Sequence, residues 1–117
     1  MQDIFSCDPT DDQRFETLKR AVIDVGPLRS GSVARRFMTC GKQGCRCRAT
    51  PPQLHGPYYQ WTRKLRGKTI TVRLTEQEAE RIREWIENRR QLDKIVADME
   101  TVSLRITERV LRQLKPT

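Results

Sequence analysis

Tyr58-Tyr59-Gln60-Trp61-Thr62-Arg63-Lys64-Leu65-Arg66-Gly67-Lys68-Thr69-Ile70-Thr71-Val72-Arg73-Leu74-Thr75-Glu76-Gln77-Glu78 decides the fold. Residues 58–64 and 69–74 are rich in β-branched and aromatic side chains. The glycine of Arg66-Gly67 between them suits a tight turn, so the pair reads as a β-hairpin. Ile70, Val72 and Leu74 alternate with Thr69, Thr71 and Arg73, which predicts one buried and one polar face. Thr75-Glu76-Gln77-Glu78 then forms a capping box: the threonine oxygen accepts from the third amide while Glu78 reaches back. From there neither Gly nor Pro interrupts the chain before Pro116. A helix of some 39 residues would be about 58 Å long at 1.5 Å per residue.

The apolar residues of that helix, Trp85, Leu92, Ile95, Met99, Val102 and Ile106, alternate at spacings of three and four if Asn88 fills one seam position and Arg109 ends the series. This is coiled-coil spacing, and it predicts self-association into a homodimer along the seam, with Asn88 as a register-setting polar residue. A helix that folds back as two, or that docks on another protein, is the alternative. Upstream, Ser30-Gly31-Ser32 is a turn and residues 33–38 are a short strand with Val33, Arg35 and Phe37 on one face. Residues from about Asp11 to Val25 form an N-terminal helix, capped by Thr10 or Asp8 and stopped by Gly26-Pro27. Phe15, Leu18, Val22 and Val25 make its core-facing stripe. The expected class is α+β: an N-terminal helix, a small three-stranded antiparallel sheet and a long C-terminal helix. The segments are 1–27, 28–75 and 76–117.

Between Val25 and Thr75 there is no acidic residue, yet eleven lysines and arginines. The flanks hold all 15 carboxylates, and the whole chain is +8. Such a segment repels itself and calls for a polyanionic partner. Arg35, Arg36, Lys42, Arg46, Arg48, Arg63, Lys64, Arg66, Lys68 and Arg73 are the candidate phosphate contacts, within a basic region spanning residues 29–73. Tyr58, Tyr59 and Trp61 lie among these charges; they are candidates to stack on bases or, equally, to pack against a helix.

Within the same segment fall Cys40, Cys45, Cys47 and His55, spaced C-x4-C-x-C-x7-H. Three thiolates and an imidazole suit closed, tetrahedral structural zinc. Basic neighbours favour the thiolate form. Gly41 and Gly44 are expected to let backbone amides approach a sulfur. Free or redox-active thiols, an iron–sulfur cluster and a disulfide are the other uses of these cysteines. Cys7 reads as an incidental thiol. Catalytic zinc is disfavoured because four ligands leave no open position and the segment offers no carboxylate base. A Cys–His nucleophile would lack an orienting acid, so no enzymatic activity is expected.

The N-terminus has neither signal-peptide nor transit-peptide character, and no apolar run approaches the ~20 residues of a membrane span. The expected location is the prokaryotic cytoplasm, where cysteines tend to ligate metal or remain reduced.

The string Gly31-Ser32-Val33, Arg36, Cys40-Gly41-Lys42, Gly44-Cys45-Arg46-Cys47, His55-Gly56-Pro57-Tyr58-Tyr59, Gly67-Lys68-Thr69 resembles a family of small, functionally uncharacterised bacterial and archaeal proteins. Its members share a G-S-V…C-G-K-x-G-C-R-C…H-G-P-Y-Y order followed by a helix, and the likeness covers about residues 30–100. They are often encoded beside transposases and other mobile-element genes. The resemblance therefore implies a mobile-element context and no established activity. Taken together, the expectation is a non-enzymatic, zinc-binding nucleic-acid-binding accessory protein, with DNA favoured over RNA. The alternative is an adaptor that docks on a transposase or recombinase through its long helix.

Overall fold

The computed structural model describes residues 9–115, so Cys7 and the proposed Asp8 cap lie outside the described residues. In chain order the elements are α1 (Pro9–Ile23), β1 (Ser32–Met38), β2 (His55–Leu65), β3 (Lys68–Leu74) and α2 (Glu76–Leu114). The strands form one antiparallel sheet in the order β1-β2-β3. This is the expected α+β arrangement, with a Cys/His cluster beside the sheet. Among the described residues no helix is long and apolar enough to cross a membrane.

The chain divides into two compact units, residues 27–87 and residues up to 26 together with those from 88 onward. In the first unit, the β2–β3 hairpin closes through Arg66 at φ 51° and Gly67 at φ 78°. Two consecutive left-handed residues make the turn whose twist matches that of the strands. The register sets Trp61 between Val33 and Val72, Tyr59 between Arg35 and Leu74, and Gln60 between Ala34 and Arg73. Successive side chains point to opposite faces. Val33, Tyr59, Trp61, Ile70 and Leu74 therefore share one face, while Arg36, Tyr58, Gln60, Thr62, Lys64 and Arg73 share the other.

The first face holds this unit's apolar interior. Trp61 is buried there, and Ala79 and Ile86 from the opening turns of α2 are buried in the same unit. The Trp61 indole N–H donates to the Ser30 carbonyl at 3.0 Å, and the Arg29 amide donates to the Trp85 carbonyl at 3.1 Å. Gly31 allows the close approach: at φ 112°, a Cβ there would lie 2.8 Å from the Trp61 indole nitrogen. Val72 is a correction to the expected buried alternation, since it remains exposed on the edge strand while Ile70 and Leu74 are half-buried. The capping box forms as expected. The Glu78 amide donates to Thr75 Oγ1 at 3.1 Å, and the Thr75 amide donates to Glu78 Oε1 at 2.9 Å. Those bonds hold the Glu78 carboxyl below its usual range, the Thr75 amide contributing most.

The second unit pairs α1 with the later turns of α2. Asp11 is fully buried, and its carboxylate accepts from Arg109 and lies 3.4 Å from Arg105 Nη2. At the opposite end, Gly26 sits against Asn88, whose Nδ2 would be 3.1 Å from an added Cβ. Ile95 and Val102 are buried within this single chain, while Leu92, Met99 and Ile106 are half-buried. Part of that seam, at Ile95 and Val102, is thus covered within the single chain, where α1 packs beside α2. Asn88, the polar member of the seam, lies against Gly26 of the same chain.

Other expectations for α1 also change. Thr10 lies inside the helix and is no cap, and Val22 is exposed while Phe15, Leu18 and Val25 are half-buried. Asp11 and Asp12 occupy the first turn, near the positive end of the helix. Asp11 does more than complement that dipole, because it anchors the helix pair.

Candidate metal centre

β1 ends at Met38 and β2 begins at His55, and these two residues pair across the sheet. The intervening loop therefore leaves and returns to one sheet end, bringing Cys40 close to His55. Just inside that end the register slips: Arg36 pairs with Tyr58 and Met38 with His55, so Phe37 alone faces Gly56 and Pro57. A bulge re-aims the strand. Pro57 has no amide to contribute to the ladder. Gly56 sits at φ 136°, where an added Cβ would lie 2.8 Å from the Arg36 carbonyl oxygen. The Gly56-Pro57 pair thus sits at the bulge beside His55, the first residue of β2, whose side chain joins the loop cysteines.

Cys40, Cys45, Cys47 and His55 converge, with no two ligand atoms more than 4.8 Å apart. Cys40 Sγ lies 3.7 Å from Cys47 Sγ, and Cys45 Sγ lies 3.1 Å from His55 Nε2. In a tetrahedral site with metal–sulfur bonds of about 2.3 Å, the sulfurs stand roughly 3.8 Å apart. The four groups are close enough to bind a metal ion, and His55 would offer Nε2.

A short 3-10 turn, Arg46–Arg48, carries Cys47 inward until it is 1% exposed. The Cys40 amide donates to Cys47 Sγ at 3.3 Å, as an amide does toward a thiolate. The Cys47 amide and then the His55 imidazole draw Cys45 down to about 6. For Cys47 the Cys40 amide pulls the same way, but burial and the neighbouring thiols outweigh it and hold that thiol above its ordinary value.

Arg48 has a structural role that its charge did not announce. Its Nε and Nη2 donate to the Cys40 carbonyl at 3.2 and 2.8 Å, clipping the start of the loop to its middle. Gly44 is left-handed at φ 74°, as a tight turn requires, but Gly41 has open space around it. The expected need for glycine at position 41 does not hold.

The ten basic candidates separate by position. Arg36, Lys64 and Arg73 lie on the polar face of the sheet, and Lys42 and Arg46 are exposed on the metal loop. Arg66 and Lys68 stand at the hairpin tip. Arg63 packs on the Trp61 ring at 4.1 Å, Arg29 approaches the same ring at 4.8 Å, and Arg35 lies over Phe37 at 5.0 Å. These three support aromatic side chains through cation–π contacts. Of the aromatic candidates, Tyr59 and Trp61 are on the covered face; Tyr58 alone is on the polar one, with Arg73 over its ring at 4.3 Å.

A family model described as a domain of unknown function, DUF6788, matches residues 12–84. That is more than half of the chain, which therefore belongs to this family. No curated protein and no solved structure matches it. The match takes in α1 from Asp12 onward, the sheet, all four candidate ligands and the capping box of α2.

Proposed function

We propose that this chain is a non-enzymatic zinc protein that binds nucleic acid, DNA in preference to RNA, as an accessory to mobile-element machinery. Zinc is favoured by the donor set: three thiolates and one imidazole, all from the protein, complete a tetrahedron and leave no position for a substrate. The ion's part is structural, tying the loop to the sheet. With three thiolates it adds −1, so the acid-free segment stays strongly cationic. The mobile-element context rests on the sequence resemblance alone.

One observation carries the nucleic-acid reading. The segment without a single carboxylate, residues 25–75, supplies the whole sheet and the whole metal loop. Arg36, Lys42, Arg46, Lys64 and Arg73 are all exposed there. The test is the affinity of the full zinc-loaded chain for a 20-bp duplex at 50 and 200 mM salt. About four phosphate contacts predict roughly a hundredfold loss across that range. Absence of binding at 50 mM, or affinity indifferent to salt, would contradict it.

A second reading, an adaptor docking on a transposase or recombinase, is favoured by Leu104, Leu111 and Leu114. All three are exposed on the later turns of α2, at 58%, 57% and 67%. Capture of a recombinase by the full chain, abolished by Leu104→Asp with Leu111→Asp while DNA binding is absent, would select it.

A further inference from the structure

We propose that the polar face of the sheet enters the major groove of duplex DNA, with Gln60 placed to contact base edges and Arg36, Lys64 and Arg73 to hold the flanking backbone. This rests on the nucleic-acid reading above and assigns that activity to one surface.

The register supplies the argument. Gln60 is at the middle of the central strand, between Ala34 and Arg73. Beside it on the same face are Tyr58 and Thr62, and Thr62 Oγ1 lies 3.1 Å from Thr71 Oγ1 across the β2–β3 pair. Arg36 is on one outer strand, Arg73 on the other, and Lys64 toward the hairpin end; all three are exposed. No residue of this face is buried, whereas the opposite face holds the buried Trp61. A protein surface with amide and hydroxyl groups at its centre, guanidinium and ammonium groups around them and no carboxylate is complementary to base edges flanked by phosphates.

Dimensions agree with this assignment. Three strands at about 4.8 Å spacing span roughly 10 Å between the outer backbones, and the major groove is about 12 Å wide. Glutamine at the centre matches the N6/N7 edge of adenine, which it can hold through two hydrogen bonds. Single-stranded nucleic acid is disfavoured by the same geometry. Binding by stacking calls for several exposed rings, and Tyr58 is the single aromatic residue on this face, already overlaid by Arg73.

The experiment uses the full zinc-loaded chain and a pool of 20-bp duplexes with a randomised centre. After selection, binding to the enriched duplex is competed with methyl green, a major-groove ligand, and with netropsin, a minor-groove ligand. The proposal expects displacement by methyl green only. Arg36→Ala with Arg73→Ala should shrink the log–log salt slope by about two, one contact for each residue removed. Gln60→Ala should lower preference for an A·T pair in the enriched site about tenfold. Zinc content and circular dichroism of each variant establish that it is folded. Displacement by netropsin, stronger binding to the single strand, a slope unaffected by the paired arginine change, or no enriched sequence would each overturn the groove assignment while DNA binding itself stands. Failure to bind either nucleic acid form at 50 mM salt would remove the nucleic-acid reading and this proposal with it.

Discussion

In the sheet unit the largest fully buried side chain is the Cys47 thiol, and in the helix unit the most deeply buried one is the Asp11 carboxylate. Among the described residues neither unit encloses a large apolar interior: Trp61, Ala79 and Ile86 serve the first, Ile95 and Val102 the second. Domains this small need an anchor beyond hydrophobic burial. The anchors differ in chemistry. A thiol can be buried without a counter-ion, and Cys47 sits with Cys40, Cys45 and His55 close enough to share a metal ion. A carboxylate cannot, so Asp11 draws in Arg105 and Arg109 from the facing helix. On the zinc reading the first unit would depend on a solute, whereas the second is held by its own side chains.

The largest expected effect follows from that dependence. Chelation, or Cys47→Ser, removes a metal-binding free energy on the order of 10 kcal/mol in comparable small zinc sites. The Cys40, Arg48 and Gln53 amides, which donate within the loop, should lose hydrogen-exchange protection. Helical circular dichroism should persist. If the helices melt in step with the loop, the contrast between the two units is broken.

Asp11→Ala should be next, at about 3 kcal/mol in urea unfolding, because it leaves arginines facing an emptied, buried site. Zinc content should not change. A drop in zinc content would show that the two anchors act as one.

Gly56→Ala sharpens the comparison from the sheet side, with a cost of about 2 kcal/mol from strained backbone. It should also weaken metal affinity, since the bulge lies beside His55. Equal destabilisation with unaltered affinity would separate the bulge from the site.

Much of the sheet unit was legible in the sequence. Period-two alternation and Arg66-Gly67 determine a hairpin locally, and Thr75 and Glu78 determine a cap locally. The four candidate ligands were legible by residue type, since three cysteines and a histidine in an acid-free loop form a donor set suited to a metal. The helix unit was far less so. A seam of Ile95, Met99 and Val102 states that something covers it, but the identity of the cover depends on α1, 70 or more residues away. Asp11 resembled an ordinary first-turn aspartate, because burial is a tertiary property. Arg48 was one positive charge among many, and only the loop geometry shows it clipping the Cys40 carbonyl.

Smaller effects test the start of α2. Thr75→Ala should cost about 1 kcal/mol through loss of the cap. Glu78 contributes a still smaller, pH-dependent part. Its carboxyl is held below the usual value of 4.5 in the folded chain, so its contribution is present above that pH and is lost as pH falls through the lowered value. Glu78→Gln should flatten that part of the stability profile, as followed by urea unfolding between pH 3 and 6.

The most direct test of the account is zinc-edge X-ray absorption, with metal quantification, on the purified full chain. One zinc per chain is expected, with three sulfurs at about 2.3 Å and one nitrogen at about 2.0 Å. A cooperatively folded, metal-free protein that is indifferent to chelators, or a zinc shell dominated by oxygen, would contradict it.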